Sequence, residues 1–142
     1  MEHMTLGRLN HIGIATPSIE KTIETYRYLL GADAIGEPFD LPPQGVRVCF
    51  IDAPNTQIEL IQPLDETSPI ANFLKKNPAG GQHHLCFEVA DMPAAVAELQ
   101  AKGATLLGAP RIGAHGTPVI FLHPRDMGGV LVELMETPGD DH

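Results

Sequence analysis

The sequence predicts an α+β fold built from two tandem βαβββ modules that form a concave mixed sheet. Three observations carry this expectation. The chain has 142 residues, the length of one ordinary domain. It matches itself at an offset of 73 residues, with His11-Ile-Gly-Ile-Ala falling on His84-Leu-Cys-Phe-Glu. In both halves the match is followed by the same succession of helix and strand-like runs. The domain is expected over 7–136, with module one at 7–62, a linker at 63–80 and module two at 81–136.

Taken in order, each half opens on the matched strand. A helix follows, marked by apolar residues at i, i+4 and i+7 on one face. These are Ile19, Ile23 and Tyr26 in the first half, and Met92, Val96 and Leu99 in the second. Thr16-Pro17-Ser18 and Asp91 supply start signals, because a side-chain oxygen there can accept from a free N–H of the first turn. Gly31 and Gly103 supply the stops. Strand-like runs come next: Val46–Ile51 and Gln57–Ile61, then Thr117–Leu122 and Val130–Met135, with shorter candidates at Ala34–Glu37 and Thr105–Leu107. Between the halves, Ser68–Asn77 reads as a short helix and Pro78-Ala-Gly-Gly as its breaker. Thr137–His142 carries no pattern and reads as a frayed tail.

Composition narrows the function classes. Nine basic residues stand against 18 acidic ones, a formal charge of −9, which is the wrong sign for tracking nucleic-acid phosphates. No apolar run approaches the ~18–20 residues of a membrane-spanning helix. Met1–Asn10 is too short and too polar to read as a secretory leader. Cys49 and Cys86 both lie in apolar strand-like runs, the pattern of reduced thiols in a cytoplasmic protein rather than of a disulfide framework.

Strand parity then sorts the side chains, because alternate residues point to opposite faces. Ile12 and Ile14 are expected against the helix, leaving His11, Gly13 and Ala15 on the other face. Leu85, Phe87 and Val89 are expected to pack likewise, leaving His84 and Cys86 opposite; His83 has the wrong parity. The last strand of each half carries one carboxylate in an apolar run, Glu59 in Ile58-Glu-Leu-Ile and Glu133 in Val132-Glu-Leu-Met. His11 and Glu59 are 48 residues apart, His84 and Glu133 49. A lone strand histidine or glutamate is ordinarily structural or solvated. A duplicated pair is different, since a divalent cation satisfies two imidazoles and two carboxylates together. Mixed His/Glu ligation suits Zn, Co, Ni, Mn or Fe, and four protein ligands leave positions for substrate on a six-coordinate ion.

These residues resemble the vicinal oxygen chelate superfamily, and within it the methylmalonyl-CoA epimerase family. The resemblance runs from Leu9 to Glu136 and is most specific over Ile112-Gly-Ala-His-Gly-Thr-Pro-Val-Ile-Phe-Leu-His-Pro-Arg-Asp-Met-Gly-Gly-Val-Leu-Val-Glu133. Gly80-Gly-Gln-His-His-Leu-Cys-Phe-Glu88 and Glu59-Leu-Ile-Gln-Pro-Leu64 add to it. It implies a glyoxalase-like fold, metal ligands at His11, His84 and Glu133 with Glu59 as a fourth, cobalt or a related ion (Zn2+, Ni2+ or Mn2+), and a homodimer. The implied reaction interconverts (R)- and (S)-methylmalonyl-CoA by α-proton removal and return, and Glu59 and Glu133 are the candidate bases. Some bacterial members carry a carboxylate on the third strand where this chain has Val48, which cannot accept a proton. For the anionic coenzyme A tail the candidates are Lys75, Lys76, Arg111 and Arg125, with Arg125 foremost because it lies in the specific stretch. No role is evident for His115 and His123. A glyoxalase I-type lactoylglutathione lyase would use the same metal set, though the Gly113–Pro124 stretch speaks against it. A metal-free binding protein of this fold would have no use for four ligands.

Overall fold

The computed structural model describes residues 6–138. Strand β1 (Leu9–Ala15) leads into α1 (Ile19–Leu30), whose start is Ser18: extended, with its hydroxyl accepting from Lys21 N at 3.3 Å. Gly31 ends the helix at φ 90°, its N–H donating to Arg27 O at 2.8 Å. The helix is followed by β2 (Phe39–Leu41), β3 (Val46–Asp52), β4 (Gln57–Pro63) and α2 (Ala71–Lys76). Then come β5 (Gly81–Val89), α3 (Met92–Ala101), β6 (Arg111–Ile112), β7 (Pro118–Leu122) and β8 (Val132–Glu136). Asp91 caps α3, accepting from Ala94 N at 3.0 Å. Strand, helix and three strands therefore occur twice, as the repeat predicts, and the class is α+β. No helix among the described residues is long and apolar enough to cross a membrane.

The described residues gather into two compact units, one of residues 11–83 and the other of residues 6–10 together with 84–138. The division falls inside β1 and inside β5. Its cause is local. Gly7 N donates to Glu88 O at 2.7 Å, Glu88 N to Arg8 O at 3.0 Å, and Asn10 Nδ2 to the Glu88 carboxylate at 2.8 Å. The chain's first described residues are thus tied to the second module's opening strand.

In the first unit the strand order is β2-β3-β4-β1, with β1 and β4 parallel. The α1 face packs Ile19 and Ile23 on Cys49, Ile51 and Leu60, with Ile14 and Tyr26 beside them. The other face holds Ala15, Val46, Val48, Ile61 and Ile70. Gly80 (φ 95°) passes so close to β1 that a Cβ there would meet Ala15 O at 2.6 Å, which is why the breaker needs a glycine at this point.

The second unit repeats the plan with order β5-β8-β7-β6 and a parallel β5/β8 pair. Its α3 face packs Met92 and Ala95 on Val89, Ile120, Leu122, Val132 and Leu134, and Phe87 joins them. Cys86, Val119 and Met135 pack on the opposite face.

Two short strands lie later than the sequence suggests. Ala32–Ala34 is a 3-10 turn, and Ile35 makes only an isolated bridge to Ile51; β2 begins at Phe39, after Pro38, which has no N–H to offer a ladder. In the second half Leu106 likewise makes one bridge, to Leu122, and the strand proper is Arg111–Ile112, after Pro110. At the C-terminal end, Thr137 is held by Val89 O through both its N–H (2.8 Å) and its hydroxyl (3.2 Å). The rest of the expected tail, 139–142, lies outside the described residues.

Candidate functional site

Each module brings one histidine to one glutamate, and strand register is the device that does it. In the first unit the parallel β1/β4 pairing sets Glu59 beside Gly13, two residues past His11 on the same face. His11 Nε2 stands 3.6 Å from a Glu59 carboxylate oxygen. In the second, β5/β8 pairing sets Glu133 beside Cys86, two residues past His84. His84 Nε2 stands 3.3 Å from a Glu133 carboxylate oxygen. All four residues are buried, between 2% and 7% exposed. Four buried polar groups in apolar strands are costly to place unless they serve a partner.

The donor set suits a divalent ion. Imidazole nitrogen and carboxylate oxygen each bind such an ion at about 2.0–2.2 Å, so two ligands of one ion lie at most about 4.4 Å apart. Both His–Glu separations fall inside that limit. They are also longer than an ordinary N–H···O hydrogen bond of about 2.7–3.2 Å. Cys86 Sγ and a Glu133 carboxylate oxygen lie within 4.8 Å, so a thiol adjoins the second pair.

Each glutamate has an aromatic neighbour on its other side, which the sequence reading did not single out. Antiparallel register sets Phe50 opposite Glu59 and Phe121 opposite Glu133. The Phe121 ring meets His84 edge-on, centroids 5.8 Å apart at 83°. The pairing has a signal in the repeat, since both phenylalanines sit in the third strand of their modules. Val48 shares the Glu59 face, packed among Ala15, Val46 and Ile61, and offers no proton acceptor there. His83 points the other way from His84 and makes a T-shaped contact with Phe73 at 5.2 Å.

The basic candidates are distributed differently. Arg125 donates from Nη2 to Thr105 Oγ1 at 2.6 Å and from its backbone N to His123 Nδ1 at 3.1 Å. Thr105 N in turn donates to Asp126 at 2.8 Å, so His123 and Arg125 brace the turn Pro124–Asp126. Lys76 is the exposed last residue of α2. Arg111 holds its guanidinium 5.9 Å from the centre of the Phe121 ring.

Comparison with known proteins decides the family. The model of the Glyoxalase/Bleomycin resistance protein/Dioxygenase superfamily matches residues 10–121. The ethylmalonyl-CoA/methylmalonyl-CoA epimerase of Cereibacter sphaeroides is 57% identical over 131 residues, covering 91% of this chain and 97% of that one. This chain belongs to the methylmalonyl-CoA epimerase family. Solved structures of epimerases agree. That of Mycobacterium tuberculosis superposes with a TM-score of 0.87 at 34% identity, over 98% of this chain and 93% of that one. A Streptomyces coelicolor methylmalonyl-CoA epimerase in complex with 2-nitronate-propionyl-CoA superposes with a TM-score of 0.85 at 34% identity, covering 95% and 100%. The family that the resemblance implied and the fold class expected from the repeat are both found.

Proposed function

We propose that this chain epimerises methylmalonyl-CoA, interconverting the (R) and (S) forms. The observation that carries the reading is a buried His–Glu pair on each module of a chain in the methylmalonyl-CoA epimerase family. The α-carbon of the substrate lies between a thioester and a carboxylate. Its proton is therefore acidic for a C–H, and its loss leaves an enolate.

In this proposal Glu59 and Glu133 are the two bases. One carboxylate takes the α-proton on an oxygen; the other, protonated, delivers a proton to the opposite face of the enolate. Exchanging the roles runs the reaction backwards, as an epimerase requires. Val48 offers no proton acceptor, so on the first module the task falls to Glu59. General acid–base groups of this kind contribute about 100- to 10,000-fold.

His11, Glu59, His84 and Glu133 are proposed to hold one divalent ion, cobalt foremost, with zinc, nickel or manganese as alternatives. When bound, the ion supplies electrophilic stabilisation of negative charge on the substrate's oxygens. Arg125 and Lys76, both exposed, are the proposed contacts for the coenzyme A tail. A homodimer is proposed because the short strands β2 and β6 end their strand orders with exposed Phe39 and Ile112, and such edges favour a covering partner. Reduced, buried Cys49 and Cys86 support a cytoplasmic setting.

The deciding experiment is proton NMR of methylmalonyl-CoA in heavy water with the purified protein. Loss of the α-proton signal with equilibration of the two epimers is expected; a signal that stays unchanged overturns the reading. For the metal, a chelator should abolish activity and cobalt restore it, and full activity in rigorously metal-free protein refutes the ion. Light scattering at micromolar concentration should give twice the 15.3 kDa chain mass.

A further inference from the structure

The repeat exposes a substitution that the His–Glu plan does not require. Antiparallel register pairs Phe39 with Val48 in the first module and Arg111 with Val119 in the second. Val48 and Val119 are equivalent: each is buried and lies two residues before the phenylalanine opposite the glutamate. Phe39 and Arg111 therefore occupy the same place in the two modules. In the first, Phe39 lies on Phe50 with ring centroids 6.0 Å apart. In the second, the Arg111 guanidinium lies over Phe121 at 5.9 Å, and Phe121 abuts His84. One module closes this corner with an aromatic pair; the other puts a cation there.

That cation is exposed, and among the described residues no carboxylate lies within ion-pair distance of it. A chain of net charge −9 gives an anionic ligand little general attraction, so a local cation matters more. Planar guanidinium matches an oxoanion with two parallel N–H donors while stacking on an aromatic face. We infer that Arg111 is a substrate-binding residue that anchors an anionic oxygen group of the acyl-CoA, its free carboxylate or a coenzyme A phosphate, at the edge of the His84–Glu133 pair. The inference rests on the function proposed above and names the side chain that would hold the substrate's charge.

The test uses the full chain, loaded with cobalt, and three variants. Arg111→Phe installs the side chain that the first module carries at this place, Arg111→Gln removes the charge in a polar form, and Arg111→Lys keeps the charge without the fork. With unchanged thermal midpoints, the Phe and Gln variants should raise KM for methylmalonyl-CoA about tenfold or more, the size of one lost charge-assisted hydrogen bond, while kcat changes less. The Lys variant should lose less than either. Calorimetric binding of two probes separates the sources of charge. Weakened binding of methylmalonyl-N-acetylcysteamine thioester alone assigns Arg111 to the carboxylate; weakened binding of coenzyme A alone assigns it to a phosphate. If the Phe variant binds both probes as the parent does, Arg111 only packs on Phe121 and the inference falls. An equal loss in the Lys and Phe variants also overturns it. A parent protein that binds both probes but exchanges no α-proton would count against the proposed reaction and leave the binding comparison decisive for Arg111.

Discussion

The two modules place histidine and glutamate by the same rule and differ in what surrounds them. In both, a parallel pair of strands sets the glutamate two residues beyond the histidine, and a phenylalanine faces the glutamate from the third strand. The residue directly beside the glutamate is Gly13 in one module and Cys86 in the other. The corner residue is Phe39 in one and Arg111 in the other. The shared part is what the ligand role proposed for the two pairs needs. The divergent part is what an asymmetric substrate needs, since its carboxylate end and its coenzyme A end differ and only one face loses the proton in each direction.

The sharpest way to break this symmetry is to neutralise each carboxylate in turn. Glu59→Gln keeps an oxygen donor and loses a proton acceptor, so metal content should stay near that of the parent while epimerisation falls about 100-fold or more. One epimer should still exchange its α-proton with deuterium, because the Glu133 side is intact. Glu133→Gln should lose metal and exchange together. Parent-level epimerisation by Glu59→Gln would make Glu59 a ligand only and send the search for the second base elsewhere.

Core truncation compares the modules as packing units. Leu60 and Leu134 follow the two glutamates, are fully buried, and pack under α1 and α3 respectively. Alanine at either site should cost about 2–5 kcal/mol in urea unfolding. A single transition for both variants is expected; loss of one module with the other still folded would show that they unfold separately. Smaller still are the helix starts: Ser18→Ala and Asp91→Ala should each cost about 1 kcal/mol. A null effect at one start alone would show that tertiary packing, not the cap, sets that helix boundary.

The smallest effect is a pH dependence at Cys49, in the first module. Burial pushes the Cys49 thiol above its ordinary pKa, against a weaker opposing pull from Arg47. The folded chain therefore keeps a proton that the unfolded chain releases, and stability should decline as pH rises past the ordinary thiol value of about 8.5. Cys49→Ala should flatten that slope, as followed by thermal melts from pH 7 to 10. An unchanged slope would assign it to other groups.

The caps, stops and apolar stripes of α1 and α3 were legible in the sequence because a helix end or face is encoded within a few consecutive residues. The same holds for the side-chain parity of β1 and β5, and for the repeated His and Glu, since strand alternation and internal duplication are both local patterns or copies of them. Short edge strands were not legible. Phe39–Leu41 and Arg111–Ile112 have too few residues to show a period, and they exist only through pairing with β3 and β7. The N-terminal segment that joins Glu88 depends on contacts between residues 78 to 81 positions apart, from Asn10–Glu88 to Gly7–Glu88, which no window can contain. So does the place of Arg111 over Phe121, which the sequence offered as one basic residue among four. What the sequence by itself determined was the α+β repeat, the limits of α1 and α3, and the repeated histidine and glutamate. Only the tertiary structure decided the register that sets each glutamate beside its histidine and the corner where one module carries a ring and the other a charge, because cross-strand neighbours are chosen by the pairing of whole strands.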